Sequence, residues 1–263
     1  MNEPAPLHGE IAGGPEGGRA FWLTASDGTR LRAALWRGGD RGTVAILPGR
    51  TEYIEKYGRV IARLVERDLS VAILDWRGQG LSDRYPANPN LGHVEDFRHY
   101  QRDVSALLEL IAAEDMPGPL YMLAHSMGGC IGLRTLLEQA HFSGAILSAP
   151  MWHLQMRTAT RELTSKMTRL ANLVGLGGRL TPGTNARPTP LAVQFEGNSL
   201  TSHRETFDWM VGQINAVPHL SLGGPSMQWT YAALEEMARL YVAPLPGVPV
   251  TVFLGTDECV VSK

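Results

Sequence analysis

Short continuous runs of apolar residues, alternating with amphipathic stretches, constrain the fold of this chain more than any other feature. The runs occupy residues 44–47, 71–74, 120–124, 145–147 and 250–254. An unbroken apolar run is what a strand buried on both faces requires. The stretches between the runs repeat apolar residues at helical spacing, as Ile54, Tyr57 and Ile61 do. This alternation predicts an α/β fold with a mostly parallel sheet and right-handed crossovers.

Two segments depart from this rhythm. Residues 20–36 alternate apolar and polar side chains around the turn at 26–29, which predicts an N-terminal β-hairpin. Residues 151–244 separate two predicted strands by roughly 90 residues, where a connection usually takes ~2–6. We interpret this stretch as an inserted lid, with helices predicted around 155–174, 202–216 and 225–241.

The chain therefore divides into three parts. Residues 1–18 are rich in Gly, Pro and Ala, and they are predicted to be a disordered lead-in. They have no cationic start and no apolar run, so they do not match a signal peptide. Residues 19–150 and 245–263 form the predicted core, and 151–244 form the lid or cap insertion. No apolar run approaches the ~18 residues of a membrane span.

Composition excludes several classes of function. The formal net charge is -2 and basic runs are absent, so no nucleic-acid partner is expected. The two cysteines, Cys130 and Cys259, do not make a disulfide framework, which favours a reducing, cytoplasmic location. Peripheral contact with the inner membrane and the oligomeric state are left open. No metal and no cofactor is expected.

The segment Leu123–Gly129 predicts a serine nucleophile. It follows a buried strand and opens a helix, which is the context of a nucleophile elbow. Close crossing of strand and helix requires small residues two positions before and after Ser126, and these are Ala124 and Gly128. The Met127 N–H at the helix start is the expected first oxyanion donor. His125 is a poor general base, because the residue beside the nucleophile points elsewhere in such a turn.

The first buried strand ends at residues 48–52, Pro-Gly-Arg-Thr-Glu. In folds with a nucleophile elbow, the loop after this strand supplies the second backbone donor, and Gly49 would let the backbone approach the substrate. We assign that role to the Arg50 N–H. The Arg50 and Glu52 side chains are taken as an unrelated surface pair. A plain Pro-Gly turn is the alternative.

At this point the sequence resembles the lysophospholipase and monoacylglycerol lipase branch of the α/β-hydrolases, also described as serine aminopeptidase S33-type hydrolases. The motifs that carry the resemblance lie at residues 47–52, 75–84, 91–94, 123–129, 148–151, 198–201 and 222–225. The motif at 75–84 is common to many α/β-hydrolases, whereas the Pro-Gly-Arg start and the insertion motifs point to this branch. The resemblance implies a helical lid over the serine and a lipid ester substrate with one long acyl chain.

The triad acid is expected after the strand at 250–254, because the order in this fold is Ser, acid, His. Two carboxylates compete there. The family pattern places the acid three residues after Gly255 and before a Val-Val pair, which selects Glu258 over Asp257. The other carboxylate would be a solvated loop residue.

The catalytic histidine is not found in its expected place. No histidine follows Glu258, so we expect it beyond Lys263, in a longer protein that also carries a last strand and helix. The strand at 250–254 would otherwise be a bare apolar edge. A base from the lid, His203 or His219, is the alternative. Without an imidazole the serine would lose orders of magnitude in reactivity.

Three hypotheses about function follow. The first is a carboxylic ester hydrolase that cleaves lysophospholipids or monoacylglycerols through an acyl-serine intermediate, with Ser126, Glu258, Arg50 and Met127 as its site residues. The second is a truncated, catalytically impaired α/β-hydrolase that acts as a lipid-binding module. The third is a general carboxylesterase on small soluble esters.

Overall fold

A computed structural model of the chain describes residues 3–139, 141–188, 191 and 193–261. In this part of the chain an eight-stranded sheet runs in the order β1-β2-β3-β5-β4-β6-β7-β8. The strands are Glu3–Pro4 (β1), Arg19–Thr24 (β2), Arg30–Trp36 (β3), Thr43–Leu47 (β4), Ser70–Asp75 (β5), Leu120–His125 (β6), Gly144–Ser148 (β7) and Val250–Phe253 (β8). The five neighbouring strands β5, β4, β6, β7 and β8 are parallel to one another. Strands β1, β2 and β3 pair antiparallel, and β3 is also antiparallel to β5.

The centre of the sheet is buried on both faces. Every residue of β4 and β5 is buried, as the unbroken apolar runs predicted. The helices of the described residues are Gly9–Ala12 (α1), Gly58–Val65 (α2), His99–Ala113 (α3), Met127–Glu138 (α4), Thr158–Leu173 (α5), Arg204–Ala216 (α6) and Met227–Tyr241 (α7). Helices α2, α3 and α4 pack against strands of the sheet. The predicted α/β class, the mostly parallel sheet and the N-terminal hairpin are confirmed.

The prediction of a disordered lead-in over residues 1–18 is wrong for residues 3–18. Strand β1 extends the sheet beside β2, and α1 follows it. The Ile11 carbonyl accepts hydrogen bonds from Trp209 Nε1 and Gln213 Nε2 of α6. These contacts offset the chain entropy that the Gly and Pro content suggested. Residues 1 and 2 lie outside the described residues.

The segment between β7 and β8 carries the helices predicted for the lid. Helices α5, α6 and α7 lie at 158–173, 204–216 and 227–241, close to the predicted ranges. Strand β8 pairs with β7 and forms the edge of the described sheet, where Phe253 is 58% exposed. Residues 262 and 263 of the predicted core lie outside the described residues. None of the described helices is long and apolar enough to cross a bilayer.

Candidate active site

Ser126 lies on a sharp turn between β6 and α4. Its backbone is at φ 49° and ψ −115°, a conformation that residues other than glycine rarely adopt. The Ser126 N–H donates to the Ser148 carbonyl at 3.0 Å, and the Ser126 carbonyl accepts from Met151 N–H at 2.9 Å. Holding a serine there costs about 1–3 kcal/mol, and such strain clusters at functional turns. The serine is half-buried, so its side chain is not enclosed in the core.

Small residues allow α4 to cross the sheet at this turn. A Cβ added to Gly128 would lie 2.0 Å from the Leu47 carbonyl oxygen, and one added to Gly129 would lie 2.6 Å from Pro150 Cβ. Ala124 is fully buried. The requirement for small residues on both sides of Ser126 therefore has a direct steric cause.

The loop after β4 meets the turn that carries Ser126. Strands β4 and β6 are parallel neighbours, with Leu47 opposite Ala124, so both chains emerge at the same edge of the sheet. A Cβ on Gly49 would lie 3.1 Å from His125 Cδ2. The structure therefore brings the predicted oxyanion loop together with the predicted elbow. The roles of Arg50 and Met127 as donors stay predictions.

Glu52 is a buried anchor of this loop. Its carboxylate accepts hydrogen bonds from Gly49 N–H, the Tyr57 hydroxyl and Lys56 Nζ. Burial alone would raise the pKa of Glu52, but the charges of Lys56 and His125 and these hydrogen bonds outweigh it and hold the pKa at about 2. The expectation that Arg50 and Glu52 form an unrelated surface pair is wrong, because both charged groups are buried.

The Arg50 side chain connects the loop to the lid. Its Nη2 donates to the Gly223 carbonyl at 2.6 Å, and the guanidinium lies 5.2 Å from the Trp229 ring centroid. Its Nε is buried without a hydrogen-bond partner among the described residues. Burial lowers the pKa of Arg50 to about 10, still well above neutrality, so the cation persists at pH 7. The segment predicted to be the lid is thus bound to the residue whose N–H is the predicted second oxyanion donor.

The first turn of α4 begins directly after Ser126. The N–H groups of a first helical turn have no intrahelical acceptor, and they carry the positive end of the helix dipole. Met127 is the first residue of this turn and is buried. Its main-chain N–H therefore remains a suitable donor for an anion formed at Ser126.

Glu258 and Asp257 differ in their surroundings. Glu258 is half-buried, and its carboxylate accepts the Val260 and Val261 N–H groups at 2.7 and 3.0 Å. Burial raises the pKa of Glu258, but these N–H groups, the Cys259 N–H and the charge of His125 outweigh it and lower the pKa overall. Asp257 is exposed. The choice of Glu258 as the triad acid stays a prediction, and these contacts favour it.

No described histidine is hydrogen-bonded to Ser126. His125 Nδ1 contacts the Ser148 carbonyl at 3.0 Å, and its Nε2 lies 3.8 Å from Glu52 Oε1. His203 is exposed and caps the N-terminus of α6, and His219 is exposed. The histidine expected beyond Lys263 stays a prediction.

Sequence reasoning missed two side chains that hold the oxyanion loop. Trp76 Nε1 donates to the Pro48 carbonyl at 2.8 Å, and Gln79 contacts the backbone on both sides of Arg50. Both residues belong to the motif at 75–84, which was interpreted only as a signature of the fold. Trp76 and Gln79 closely follow β5, which is adjacent to β4, and this position is the signal that could have revealed their contact with the loop after β4.

The sheet, the strained serine turn and the inserted helices together define an α/β-hydrolase. A model of the serine aminopeptidase S33 family of hydrolases matches residues 38–263, and the chain belongs to this family. This confirms the resemblance derived from the motifs.

The relatives include lysophospholipases. The chain is 28% identical to probable lysophospholipase L2 of Haemophilus influenzae over 225 residues, which cover 85% of this chain and 70% of the relative. It is 34% identical to lysophospholipase L2 of Escherichia coli, covering 82% of this chain but only 63% of the relative. The chain thus spans about two thirds of the length of these relatives.

The solved structures show the same fold. A soluble variant of monoglyceride lipase from Saccharomyces cerevisiae, in complex with a substrate analogue, superposes with a TM-score of 0.65 at 21% identity. The match covers 91% of this chain and 78% of that structure.

Proposed function

We propose that this protein is a carboxylic ester hydrolase that acts on lysophospholipids or monoacylglycerols, with Ser126 as nucleophile. The observation that carries the proposal is the strained turn at Ser126, placed between the first turn of α4 and the Gly49–Arg50 loop. The names of the relatives, lysophospholipase and monoglyceride lipase, support the same substrates.

The chemistry follows from this arrangement. Ser126 Oγ attacks the ester carbonyl carbon, and the Arg50 and Met127 N–H groups stabilise the oxyanion. The bond to the glycerol oxygen breaks, that oxygen leaves with a proton, and an acyl-serine remains. Water then releases the fatty acid. An imidazole oriented by Glu258 would transfer the protons in both steps.

The lid supports an amphiphilic substrate. Its loop at 222–226 contacts the core at Arg50, and the Gly92 N–H donates to the Gly224 carbonyl at 3.0 Å. Met210 of α6 and Trp229 and Met237 of α7 are buried side chains of the lid helices, and flexible and aromatic side chains suit an acyl chain.

The test is hydrolysis of a p-nitrophenyl ester series from acetyl to dodecanoyl, followed by lysophosphatidylcholine and monoacylglycerol. In a protein that also carries the histidine expected beyond Lys263, we expect rates that rise with chain length and fall at least ~10³-fold in Ser126→Ala. Release that is unchanged by Ser126→Ala would refute the proposal. Retained binding of a fatty-acyl probe without any release would favour the lipid-binding module, and a preference for acetyl esters would favour a general carboxylesterase.

We further propose peripheral contact with a membrane through α5. Leu163 and Leu170 share one face of this helix and are 68% and 61% exposed, and Val174, which directly follows the helix, is 61% exposed. Lys166 and Arg169 lie beside them, a pattern typical of helices that rest on anionic lipid.

Vesicle sedimentation tests this contact. We expect binding to vesicles that contain phosphatidylglycerol, weakened by salt and by Leu163→Ser with Leu170→Ser. Leu245→Ser is the matched control, because Leu245 is 92% exposed but lies outside α5. Equal binding by all variants would exclude the α5 face.

A further inference from the structure

Gln79 holds the peptide unit that joins Gly49 to Arg50. Its Nε2 donates to the Gly49 carbonyl at 3.1 Å, and its Oε1 accepts the Thr51 N–H at 3.0 Å. Gln79 is 2% exposed, so water does not compete for these bonds. One side chain therefore contacts the backbone immediately before and immediately after Arg50.

Because the peptide unit is planar, the contact between Gln79 and the Gly49 carbonyl also fixes the direction of the Arg50 N–H. In a trans peptide the N–H points away from the C=O of the same unit. The Gly49 carbonyl faces Gln79, which follows β5, whereas Ser126 follows β6. Because β4 lies between β5 and β6, the Arg50 N–H of this unit points away from β5 and toward the side of Ser126.

The neighbouring N–H groups are already occupied. The Gly49 N–H donates to the Glu52 carboxylate and the Thr51 N–H donates to Gln79. Thr51 has φ 65°, in the left-handed region that residues other than glycine rarely adopt. Of the N–H groups of Gly49, Arg50 and Thr51, that of Arg50 is the one left for a substrate oxygen by the described hydrogen bonds.

We propose that Gln79 is a positioning residue for the reaction, which aims the Arg50 N–H at the oxyanion and polarises it through the Gly49 carbonyl. This inference rests on the proposed function. A hydrogen bond accepted by the carbonyl of a peptide strengthens the donor at its other end. Gln79 thus acts on the transition state without contacting the substrate.

Gln79 is itself rigidly placed. Its N–H donates to the Trp76 carbonyl at 2.9 Å, and its carbonyl accepts the Ser82 N–H at 3.1 Å. Gly78 and Gly80 flank it at φ 78° and 52°, and a Cβ on Gly80 would lie 2.1 Å from the Asp75 carboxylate. The turn therefore presents the Gln79 amide in one orientation.

The test compares Gln79→Met with Gln101→Met. Gln101 has the same amide pattern at a remote place, donating to the Ile131 carbonyl at 3.2 Å and accepting from Thr135 Oγ1 at 2.9 Å. Both variants keep the side-chain volume nearly constant and lose two hydrogen bonds. The measurement is covalent labelling of Ser126 by an alkyl fluorophosphonate, analysed for the binding constant and the maximal rate, with thermal unfolding of each variant.

We expect the maximal rate to fall roughly 10- to 100-fold in Gln79→Met at an unchanged binding constant, since one oxyanion donor is worth about 10²–10³-fold. Gln79→Glu should be equally slow, because a carboxylate accepts from Thr51 but cannot donate to Gly49. Gln101→Met should keep the wild-type rate. Wild-type labelling rates in Gln79→Met would overturn this inference alone. Absence of labelling in a wild-type protein that carries the histidine expected beyond Lys263 would overturn the proposed function and the inference together.

Discussion

The Leu47 carbonyl oxygen lies 2.0 Å from the position that a Cβ on Gly128 would occupy. The carbonyl belongs to the backbone of β4, and the added Cβ would be fixed to the backbone of α4, so neither can move aside easily. We therefore expect Gly128→Ala to destabilise the fold by about 3 kcal/mol, at the upper end of overpacking costs. Chemical denaturation monitored by tryptophan fluorescence measures the change.

The matched control is Gly212→Ala in α6. A Cβ there meets no atom within 4 Å, so alanine should stabilise the helix by about 0.5–1 kcal/mol. If both substitutions changed stability equally, close crossing of α4 and β4 would not explain the glycine at 128.

Arg32 should be essential to the core, because it neutralises two carboxylates there. It is fully buried, with Nη1 2.7 Å from Glu55 Oε1 and Nη2 2.7 Å from Asp75 Oδ2. Arg32→Met would leave two buried carboxylates without a cationic partner, so we expect a loss of about 3–5 kcal/mol in the free energy of unfolding. Arg63→Met removes an exposed pair with Glu66 and should change it by less than about 1 kcal/mol. Similar losses in both variants would contradict this account.

The lowered pKa of Glu52 leads us to expect a specific pH dependence of the free energy of unfolding. Its folded pKa of about 2 lies below the ordinary value of 4.5, so its contribution is complete above 4.5 and lost as the pH falls toward 2. The shift corresponds to roughly 3 kcal/mol. We expect Glu52→Gln to be less stable at pH 7 and to show a smaller stability loss between pH 4.5 and 2. Parallel pH profiles for the two proteins, measured by urea unfolding, would exclude this role.

The two acidic residues after β8 can be separated by substitution. In a protein that carries the histidine expected beyond Lys263, we expect Glu258→Gln to slow ester hydrolysis at least ~100-fold, because an amide cannot stabilise an imidazolium as a carboxylate does. Asp257→Asn should stay within about threefold of wild type, since its side chain is exposed. The reverse ranking in kcat would assign the acid to Asp257.

Much of the fold could be predicted from local patterns. The apolar runs of β4 and β5 reflect burial on both faces, and the small residues around Ser126 reflect a close crossing of backbones. Both are short-range signals in the sequence. The disordered lead-in was mispredicted because Ile11 gains its order from α6, nearly two hundred residues away along the chain.

The interior of the candidate site was harder to predict for the same reason. Charge alone suggests that Arg50 and Glu52 are surface residues. Their burial depends on Gly223 from the lid and on Lys56 and Tyr57 from the following turn, and a sequence does not show such pairings. Gln79 was visible as part of a motif, but its contact with Gly49 depends on the order of β5 and β4 in the sheet.

The bond between Arg50 and Gly223 has a consequence for engineering. A lid taken from another hydrolase would have to present a carbonyl at the same point. Without it, the buried Arg50 guanidinium would lose a hydrogen bond that water does not replace. Gly223 cannot gain a side chain either, since a Cβ would lie 2.4 Å from the Ala186 carbonyl. Exchange of caps in this enzyme class would therefore succeed only together with a redesign of residue 50.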